Sequence, residues 1–409
     1  MQRARRQSVE IFRVLKQIQF LFRVHSCPFV VKNSLMNEGE IRAKHFSTGK
    51  PICVRWKSGI ISSIEEIQSA PEYLWIAPAL FDVQVNGYGG VDFQQDNVTS
   101  DDLLSAAQQL RRDGCAQFFL TLITDEWAKL TARLRHFKKL RAQSDELKNS
   151  MAGWHIEGPF LSDQPGFHGA HNSALMCDPI AKKIQELREI TESDPLLLTI
   201  SPERPGAIET IAFAKTLGII ISLGHTNASA EIIQKAVAAG ATGFTHLANG
   251  CPRELDRHDN ILWRVFDTPG LTVSLIPDKI HVSPALFRLV HRVMPKNIFY
   301  TTDAMSAAGA PPGKYKLANM ELEVGSDQIV RQPGKTNFAG SALKPIDGIF
   351  RAAEMLNCSW REVWPRFSEQ SAQSVGSKNS LSVGNRANLC VLKIRGENQL
   401  EELQMIATG

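Results

Sequence analysis

From residue 76 onward the sequence alternates short apolar runs with amphipathic segments, and this alternation is the feature that most constrains the fold. Eight runs have the length and composition of buried strands, at 80–85, 115–122, 151–156, 196–200, 218–223, 242–247, 271–276 and 297–302. Segments with helical periodicity separate most of them, at 99–112, 125–141, 179–190, 206–217, 229–239 and 283–294. Strands joined by helical crossovers are typical of a closed (β/α)8 barrel, although a doubly wound open sheet shows the same alternation.

The positions of the histidines and carboxylates favour the barrel over the open sheet. Glu157, His225, His246 and Asp303 each lie at or just beyond the C-terminal end of a different predicted strand. A barrel builds its active site at that face from residues of several strands, whereas an open sheet concentrates them at one switch point. We therefore predict an α/β fold, a (β/α)8 TIM barrel, with its functional residues at the C-terminal face.

Three of these residues have the chemistry of a metal site. Glu157, His225 and His246 offer one carboxylate and two imidazoles. A single histidine at a strand end is more often a hydrogen-bonded core residue than a ligand. Three such positions in apolar strands favour a metal site over hydrogen-bonded core residues, because burying charged groups is energetically costly unless they are paired or bind a metal. Three protein ligands with an open fourth position are typical of catalytic zinc or a similar divalent ion.

Two further residues are candidates for proton transfer and carbonyl activation. Asp303 follows the apolar run 297–302, and it is either a cap for the next loop or a general base. We favour a base that takes a proton from activated water and returns it to the leaving group. His171 follows the strand at 151–156, and it is either a surface histidine or a donor to a carbonyl oxygen.

Basic residues beyond the sixth and seventh predicted strands are candidates for binding an anion. Arg257, His258 and His281 have this position, and the planar fork of arginine suits phosphate oxygens. A solvated basic loop is the alternative interpretation. The glycine cluster at 86–90 lacks the GxGxxG spacing of a dinucleotide-binding loop, and we interpret it as a tight turn.

The net charge of +4 comes from 46 basic and 42 acidic residues, and it is concentrated at the N-terminus. Residues 1–36 hold seven basic residues and one acidic residue, so the remainder, with 39 basic and 41 acidic residues, carries −2. That remainder gives no support for a nucleic-acid-binding surface. We interpret residues 1–36 as a basic extension outside the fold, with Met36 as an alternative first residue. A membrane-surface helix and an arginine-rich targeting signal are the other interpretations.

The cysteines and the hydropathy pattern limit the cellular compartments in which the protein could work. The seven cysteines are scattered and form no CxxC pair, which argues against a disulfide framework or a thiolate zinc site. No uninterrupted apolar run reaches the ~18 residues of a membrane-spanning helix. We therefore predict a cytoplasmic protein with reduced thiols and no membrane or nucleic-acid partner.

Seven segments occur in an order that points to one known family. They are APALFDVQVNGYGGVDF, HIEGPFLS followed by GAHN, SLGHT, THLANGCP, IPDKIHVSP, TTDAMSAAG and AGSALKPIDG. Together they resemble the N-acetylglucosamine-6-phosphate deacetylases of the amidohydrolase superfamily, and LSVGNRANLCVLK resembles the closing strands of that family. The resemblance implies a metal-dependent hydrolase barrel over 79–378 and a small β-sandwich domain formed by 37–78 and 379–409.

The resemblance also implies roles for individual residues. It makes Glu157, His225 and His246 the ligands of one divalent ion, with zinc expected and iron or another divalent ion as the alternatives. It makes Asp303 the catalytic acid and base, and His171 the residue that polarises the carbonyl. The implied substrate contacts are Ala170, His171, Asn249, Gly250, Arg257, His258, His281, Ala342 and Leu343.

The implied reaction is hydrolysis of the N-acetyl amide of N-acetylglucosamine 6-phosphate, or of a close amino-sugar phosphate, to glucosamine 6-phosphate and acetate by a homodimer. Gln84 and Asn86 stand where two-metal amidohydrolases have an HxH pair. Since an amide is a poor ligand for a soft divalent ion beside imidazoles, we expect a single ion.

The sequence departs from the family pattern in the loops that face the substrate. Lys279 stands in place of a glycine, Ala248 in place of an aromatic residue, and DRHDN in place of an HHRxPG-like run. Hydrolytic chemistry is therefore better supported than the identity of the amide. The alternatives are an amidohydrolase that acts on another N-acyl or cyclic amide, and a non-catalytic sugar-phosphate-binding barrel.

Overall fold

The computed structural model describes residues 37–333 and 339–407. The predicted N-terminal extension, residues 1–36, lies outside the described residues. The described strands are β1 Gly39–His45, β2 Pro51–Lys57, β3 Ile60–Glu66, β4 Leu74–Pro78, β5 Leu80–Val85, β6 Gly87–Tyr88, β7 Val91–Asp92, β8 Cys115–Ile123, β9 Met151–Glu157, β10 Leu196–Ile200, β11 Ile220–Leu223, β12 Gly243–Phe244, β13 Thr272–Leu275, β14 Ile298–Tyr300, β15 Gly313–Leu317, β16 Met320–Val324, β17 Val330–Arg331, β18 Leu389–Arg395 and β19 Gln399–Ile406. The described helices are α1 Ser100–Arg112, α2 Trp127–Ala142, α3 Asp145–Ser150, α4 Ala181–Thr191, α5 Ala207–Thr216, α6 Ala230–Ala239, α7 Ile261–Phe266, α8 Pro284–Val293, α9 Pro345–Leu356, α10 Trp360–Phe367 and α11 Glu369–Ser374.

Eight parallel strands form the predicted barrel. Their order is β5, β8, β9, β10, β11, β12, β13 and β14, which is the order of the chain. The strands are short and almost wholly buried, since residues 80–85 and 196–200 are buried at every position. Each of the eight predicted strands coincides with one of these, and the prediction of a TIM barrel is confirmed.

Helix α1 shows how local sequence fixes the crossovers. Thr99 and Asp102 form a reciprocal capping box at its start, which satisfies backbone N–H groups that would otherwise lack a partner. The buried side chains recur at helical spacing, as Leu103, Ala106, Ala107 and Leu110. This apolar face packs on the barrel, while the acidic first turn and basic last turn suit the helix dipole.

A buried carboxylate joins the first barrel strand to the end of the last one. Oδ1 and Oδ2 of Asp82 in β5 accept hydrogen bonds of 2.5 Å from the hydroxyls of Thr301 and Thr302, which directly follow β14. The backbone N–H groups of Thr302 and Gln84 also donate to Asp82. Burial raises the pKa of Asp82 to about 6, although these hydrogen bonds favour the charged form. Asp82 thus links the two strands where no strand ladder is formed among the described residues.

The two ends of the described chain build a separate β domain. Its six-stranded sheet has the order β19, β18, β4, β1, β2 and β3. All its neighbours are antiparallel except β1 and β4, and β18 pairs with β4 from Leu389 opposite Pro78 to Lys393 opposite Leu74. The prediction of a small β domain formed by N-terminal and C-terminal segments is confirmed, and in the described residues its strands form one sheet.

A three-stranded sheet, which the sequence did not suggest, lies between β14 and α9. Strands β15, β16 and β17 are antiparallel, and Gly313 pairs with Val324. The inward side chains of this sheet, including Leu317 and Leu322, belong to one buried cluster with Ile123 of β8 and Met305. The sheet therefore covers one side of the barrel's C-terminal mouth.

None of the helices over residues 37–333 and 339–407 combines the length and apolar character that crossing a bilayer requires.

Candidate active site

A cavity of about 610 Å³ lies at the C-terminal ends of the barrel strands. Its floor carries Glu157, His225, His246 and Asp303, and His171 and His281 line its sides. These residues come from five different strand ends or the loops that follow them. The closed barrel therefore brings together groups that are up to 146 positions apart in sequence.

Glu157, His225 and His246 converge on one point. Their potential ligand atoms all lie within 4.8 Å of one another, and all three side chains are buried. Oε1 of Glu157 is 2.8 Å from Nε2 of His246 and 3.4 Å from Nε2 of His225. Burial would raise the pKa of Glu157, but the two imidazoles hold it well below the usual value. One carboxylate and two imidazoles at this spacing match the donor set of a divalent ion such as zinc.

Neighbouring groups orient the two imidazoles. Nδ1 of His225 lies 2.8 Å from the backbone oxygen of Phe167, and because a carbonyl only accepts, Nδ1 carries the proton. Nε2 of His225 is then the atom available to a cation. Nδ1 of His246 is buried and has no hydrogen-bond partner among the described residues. Nε2 of His246 faces Glu157, so Nε2, and not the orphaned Nδ1, is the atom available to a cation.

A close approach of a loop to His225 explains one glycine. Gly250 has φ of +62°, and a Cβ there would lie 2.7 Å from Nδ1 of His225. A side chain at position 250 would therefore displace the imidazole. His225, His246 and Asp303 themselves have positive φ values of 50°, 31° and 51°. Non-glycine residues seldom adopt this region, and such strain concentrates at functional sites.

Asp303 is partly buried beside Glu157 and His246. Nδ2 of Asn86 donates to its Oδ1 at 2.7 Å. Burial, with a further contribution from the Glu157 charge, raises the pKa of Asp303 to about 7. A carboxyl group with this pKa exchanges a proton readily near neutral pH, as a general acid and base must.

The imidazole of His171 is neutral, and its Nε2–H is available as a hydrogen-bond donor. The backbone N–H of Thr124 donates to its Nδ1 at 3.4 Å, and the Thr124 hydroxyl lies 2.9 Å from the same atom. Because Nδ1 accepts, the ring proton is on Nε2, which lies 3.8 Å from Oε2 of Glu157. Burial and the neighbouring His225 lower the pKa of His171 to about 3, so it is uncharged at neutral pH.

His281 lines the cavity and is oriented by Asp278. Oδ2 of Asp278 is 2.6 Å from Nδ1 of His281, and Oδ1 accepts from the backbone N–H groups of Ile280 and His281 at 2.8 Å. Burial would raise the pKa of Asp278, but His281 and these hydrogen bonds lower it below its usual value. Lys279 has φ of +67°, and its ammonium lies 2.5 Å from Oε2 of Glu354. That ion pair places the charge of Lys279 on helix α9, and Lys279 does not line the cavity.

The structure separates the candidate substrate contacts into two groups. Ala170, Asn249 and Gly250 line the cavity, as His171 and His281 do. Arg257 and His258 are exposed and lie outside the cavity lining of their own chain. Ala342 and Leu343 are buried and do not line it either.

Two residues of the site escaped the sequence analysis as functional candidates. Arg253 lines the cavity four positions before Arg257. The sequence indicates Asn86 only as a poor metal ligand, whereas in the structure it is the hydrogen-bond partner of Asp303. The available signals were a second arginine in the same loop and a polar residue directly after an apolar strand. Neither signal specifies which side chain enters the cavity.

Comparison with known proteins gives a consistent assignment. The N-acetylglucosamine-6-phosphate deacetylase of Bos taurus is 30% identical over 78% of this chain and 79% of its own length. The N-acetylgalactosamine-6-phosphate deacetylase of Escherichia coli O157:H7 is 27% identical over 83% of this chain and 90% of its own length. No family model matches the chain.

The solved structures agree on the fold. A variant of the N-acetylglucosamine-6-phosphate deacetylase of Mycobacterium smegmatis, in complex with N-acetylglucosamine 6-phosphate, superposes with a TM-score of 0.81. The match covers 91% of this chain and 99% of that one at 24% identity.

Proposed function

The chain belongs to the N-acetylglucosamine-6-phosphate deacetylase family, and from this membership and its site we propose that it hydrolyses the N-acetyl amide of N-acetylglucosamine 6-phosphate or a close amino-sugar phosphate. The products are glucosamine 6-phosphate, or its counterpart, and acetate. The observation that carries the proposal is the convergence of Glu157, His225 and His246 beside Asp303 in one cavity. A family name alone would not distinguish an active enzyme from an inactive relative.

Glu157, His225 and His246 would hold one divalent ion, and we propose zinc. Their convergence and burial fit a bound cation. When bound, the ion supplies a Lewis acid that makes water nucleophilic near neutral pH and polarises a carbonyl oxygen. The amide of Asn86 donates to Asp303 and adds no ligand of comparable strength, which supports a single ion.

Asp303 would move the proton. Its carboxylate accepts a proton from the attacking water, and the resulting acid donates that proton to the amine nitrogen as the C–N bond breaks. The raised pKa of Asp303, about 7, suits both half-reactions. Asn86 would hold Oδ1, so that Oδ2 transfers the proton.

His171 would stabilise the developing oxyanion. Its neutral Nε2–H donates to the carbonyl oxygen of the acetyl group as that oxygen gains negative charge. Thr124 would keep the ring in the required tautomer. The same donor serves the tetrahedral intermediate until it collapses to acetate.

The phosphate group would bind at the rim of the cavity. Arg253 and His281 line the cavity of the same chain and offer suitable donors. Arg257 lies on an exposed loop, where its backbone oxygen accepts from the indole of Trp263, a residue with 43% of its surface exposed. We propose a homodimer in which this loop, with Arg257 and His258, contacts the partner's site.

A direct assay tests the proposed function. We expect the zinc-loaded protein to release acetate from N-acetylglucosamine 6-phosphate, and to act on unphosphorylated N-acetylglucosamine with kcat/KM at least ~10-fold lower, since a lost phosphate contact costs about 1.4 kcal/mol or more. N-acetylgalactosamine 6-phosphate, measured in parallel, identifies the preferred sugar. Metal-loaded protein that releases no acetate from any of the three would refute the deacetylase proposal and favour the other amides or a non-catalytic barrel.

We also propose a cytoplasmic location. The six cysteines among the described residues are all free thiols, as expected of a reducing compartment. Fractionation of cells that express the full chain, with antibody detection, tests this location.

A further inference from the structure

The barrel contains a second cavity at its opposite, N-terminal end. It has a volume of about 380 Å³ and reaches the starts of several strands, including Thr242, Thr272 and Ile298. Helix α11 contributes Gln370 and Gln373 to its wall. A volume in the range of ~300–1,000 Å³ is typical of small-molecule sites.

The inner end of this cavity is polar. His155, Ser222, Thr245 and Ser274 line it, although the interior of such a barrel is usually filled by branched apolar side chains. Oγ1 of Thr245 lies 2.7 Å from Oγ of Ser222 and 2.8 Å from Oγ1 of Thr199. The Thr199 hydroxyl in turn lies 2.8 Å from Nε2 of His155. These hydroxyls form a connected network that can both donate and accept.

Two buried polar atoms of the cavity wall are left out of that network. Nε2 of Gln84 and Oε1 of Gln370 are buried and have no hydrogen-bond partner among the described residues. Gln84 has only 1% of its surface exposed. A buried donor or acceptor without a partner is energetically unfavourable, so an occupant that satisfies both atoms would be bound favourably.

The two orphaned atoms define the chemistry of that occupant. An anion would satisfy the Gln84 amide and leave the Gln370 oxygen without a donor, and a cation would do the reverse. A neutral molecule with several hydroxyl groups satisfies both, because each hydroxyl donates and accepts. None of the described lining residues carries a carboxylate, and one ammonium, Lys296, is present.

We propose that the N-terminal end of the barrel is a second binding site for a neutral polyhydroxy molecule of monosaccharide size. Val83, Leu197 and Phe299 supply apolar wall for the C–H faces of such a ring. The cavity shares none of its described lining residues with the catalytic cavity, so the two sites can be occupied together. The inference is independent of the proposed function, because it rests on a different set of residues.

Binding of d-glucose to the metal-loaded full chain tests the proposal, by calorimetry and by saturation-transfer NMR. We expect saturable binding that Gln370→Leu weakens at least ~5-fold, about 1 kcal/mol, through loss of one acceptor. Gln373→Trp, which places a large side chain at the exposed rim, is expected to abolish binding. Both positions are on the cavity wall, and neither belongs to the catalytic residues. Ser274 is left unchanged, because its hydroxyl accepts from the backbone N–H of His246.

Two matched variants separate this site from other ways of binding glucose. Gln234→Leu makes the same substitution at an exposed glutamine of α6, away from the cavity, and is expected to leave binding unchanged. Asn249→Leu alters the catalytic cavity, and this variant is also expected to leave glucose binding unchanged. Loss of glucose binding in Asn249→Leu, with binding retained in Gln370→Leu, would overturn the proposal. Equal binding by all variants would also overturn it, and so would the absence of saturable binding by the wild type. Because no turnover is measured, failure of the deacetylase proposal would leave this result unaffected.

Discussion

The side-chain amide of Asn86 donates to Oδ1 of Asp303 at 2.7 Å, across 217 positions of sequence. Asn86 directly follows the first barrel strand, and Asp303 follows the last one. The same two strand ends are joined by the backbone N–H of Asn86, which donates to the oxygen of Ala304 at 2.7 Å. The geometry of the proposed base is therefore fixed by closure of the barrel.

Asp303→Asn should remove catalysis and leave substrate binding nearly intact. The amide is the same size as the carboxylate but cannot accept and return a proton at neutral pH. We expect kcat to fall by about 10²–10⁴, the usual contribution of a general acid–base group, with KM changed little. Acetate release by the zinc-loaded variant measures both constants, and a melting curve like that of the wild type is the control. Turnover within a few-fold of the wild type would show that another group moves the proton.

Asn86→Ala should shift the pH dependence of the reaction. The Asn86 donor stabilises charged Asp303, so its loss raises the pKa of Asp303 above its present value of about 7. Since the base must be ionised, we expect the acidic limb of the kcat/KM profile to move to higher pH by roughly one unit, the equivalent of about 1.4 kcal/mol. A merely structural role for Asn86 would lower activity at every pH and leave the limb in place.

Arg253 and Arg257 should differ in how they contribute to phosphate binding. Arg253 lines the cavity of its own chain, whereas Arg257 does not. We expect Arg253→Ala to raise KM for the phosphorylated substrate by about 10-fold, since a charge-assisted hydrogen bond contributes about 1.5–3 kcal/mol. If Arg257 acts across a dimer, Arg257→Ala should raise KM as well. Mixing Arg257→Ala chains with inactive Asp303→Asn chains should then restore part of the activity. Dissociated chains with unchanged KM would contradict the dimer.

The strands and the cluster of Glu157, His225 and His246 could be predicted because both depend on local composition. A run such as LFDVQV at 80–85 is buried at every position, and burial on both faces is what a parallel strand requires. Glu157, His225 and His246 were predictable because charged groups at the ends of apolar strands are costly without a partner. These inferences need no knowledge of loop conformation.

The loops could not be predicted in the same way. Strands β15 and β16 have mixed exposure, with side chains such as Lys314 and Glu323 facing solvent, and no apolar run marks them. Whether Arg253 or Arg257 lines the cavity depends on the path of one loop, and local composition does not predict that path. The sequence places Lys279 in a loop that is expected to face the substrate, but its ion pair with Glu354 depends on a helix 75 positions away.

Lys279→Gly should stabilise the protein without changing turnover. Lys279 has φ of +67°, where a side chain is strained, and its ion pair with Glu354 is exposed enough to contribute little. We expect a net gain of about 0.5–1 kcal/mol in the free energy of unfolding. Lys279→Ala is the matched control, because it removes the ion pair and keeps the strain, so it should give no gain. Greater stability of the alanine variant than of the glycine variant would contradict the strain argument.

Removal of the divalent ion should destabilise the folded protein as well as inactivate it. The cavity floor packs the Glu157 carboxylate against Nε2 of two imidazoles, and these buried groups form a donor set that a cation would stabilise. A cation that binds only the folded state adds RT ln(1 + [L]/Kd), which is about 4 kcal/mol when its concentration is 1,000 times Kd.

We therefore expect dialysis against a chelator to lower the melting temperature by several degrees, and added Zn²⁺ to restore it. Glu157→Gln is the control, because it removes the only carboxylate of the ligand set and should melt at one temperature with or without chelator. Wild-type protein that contains zinc by elemental analysis but melts identically after its removal would show that the ion binds elsewhere.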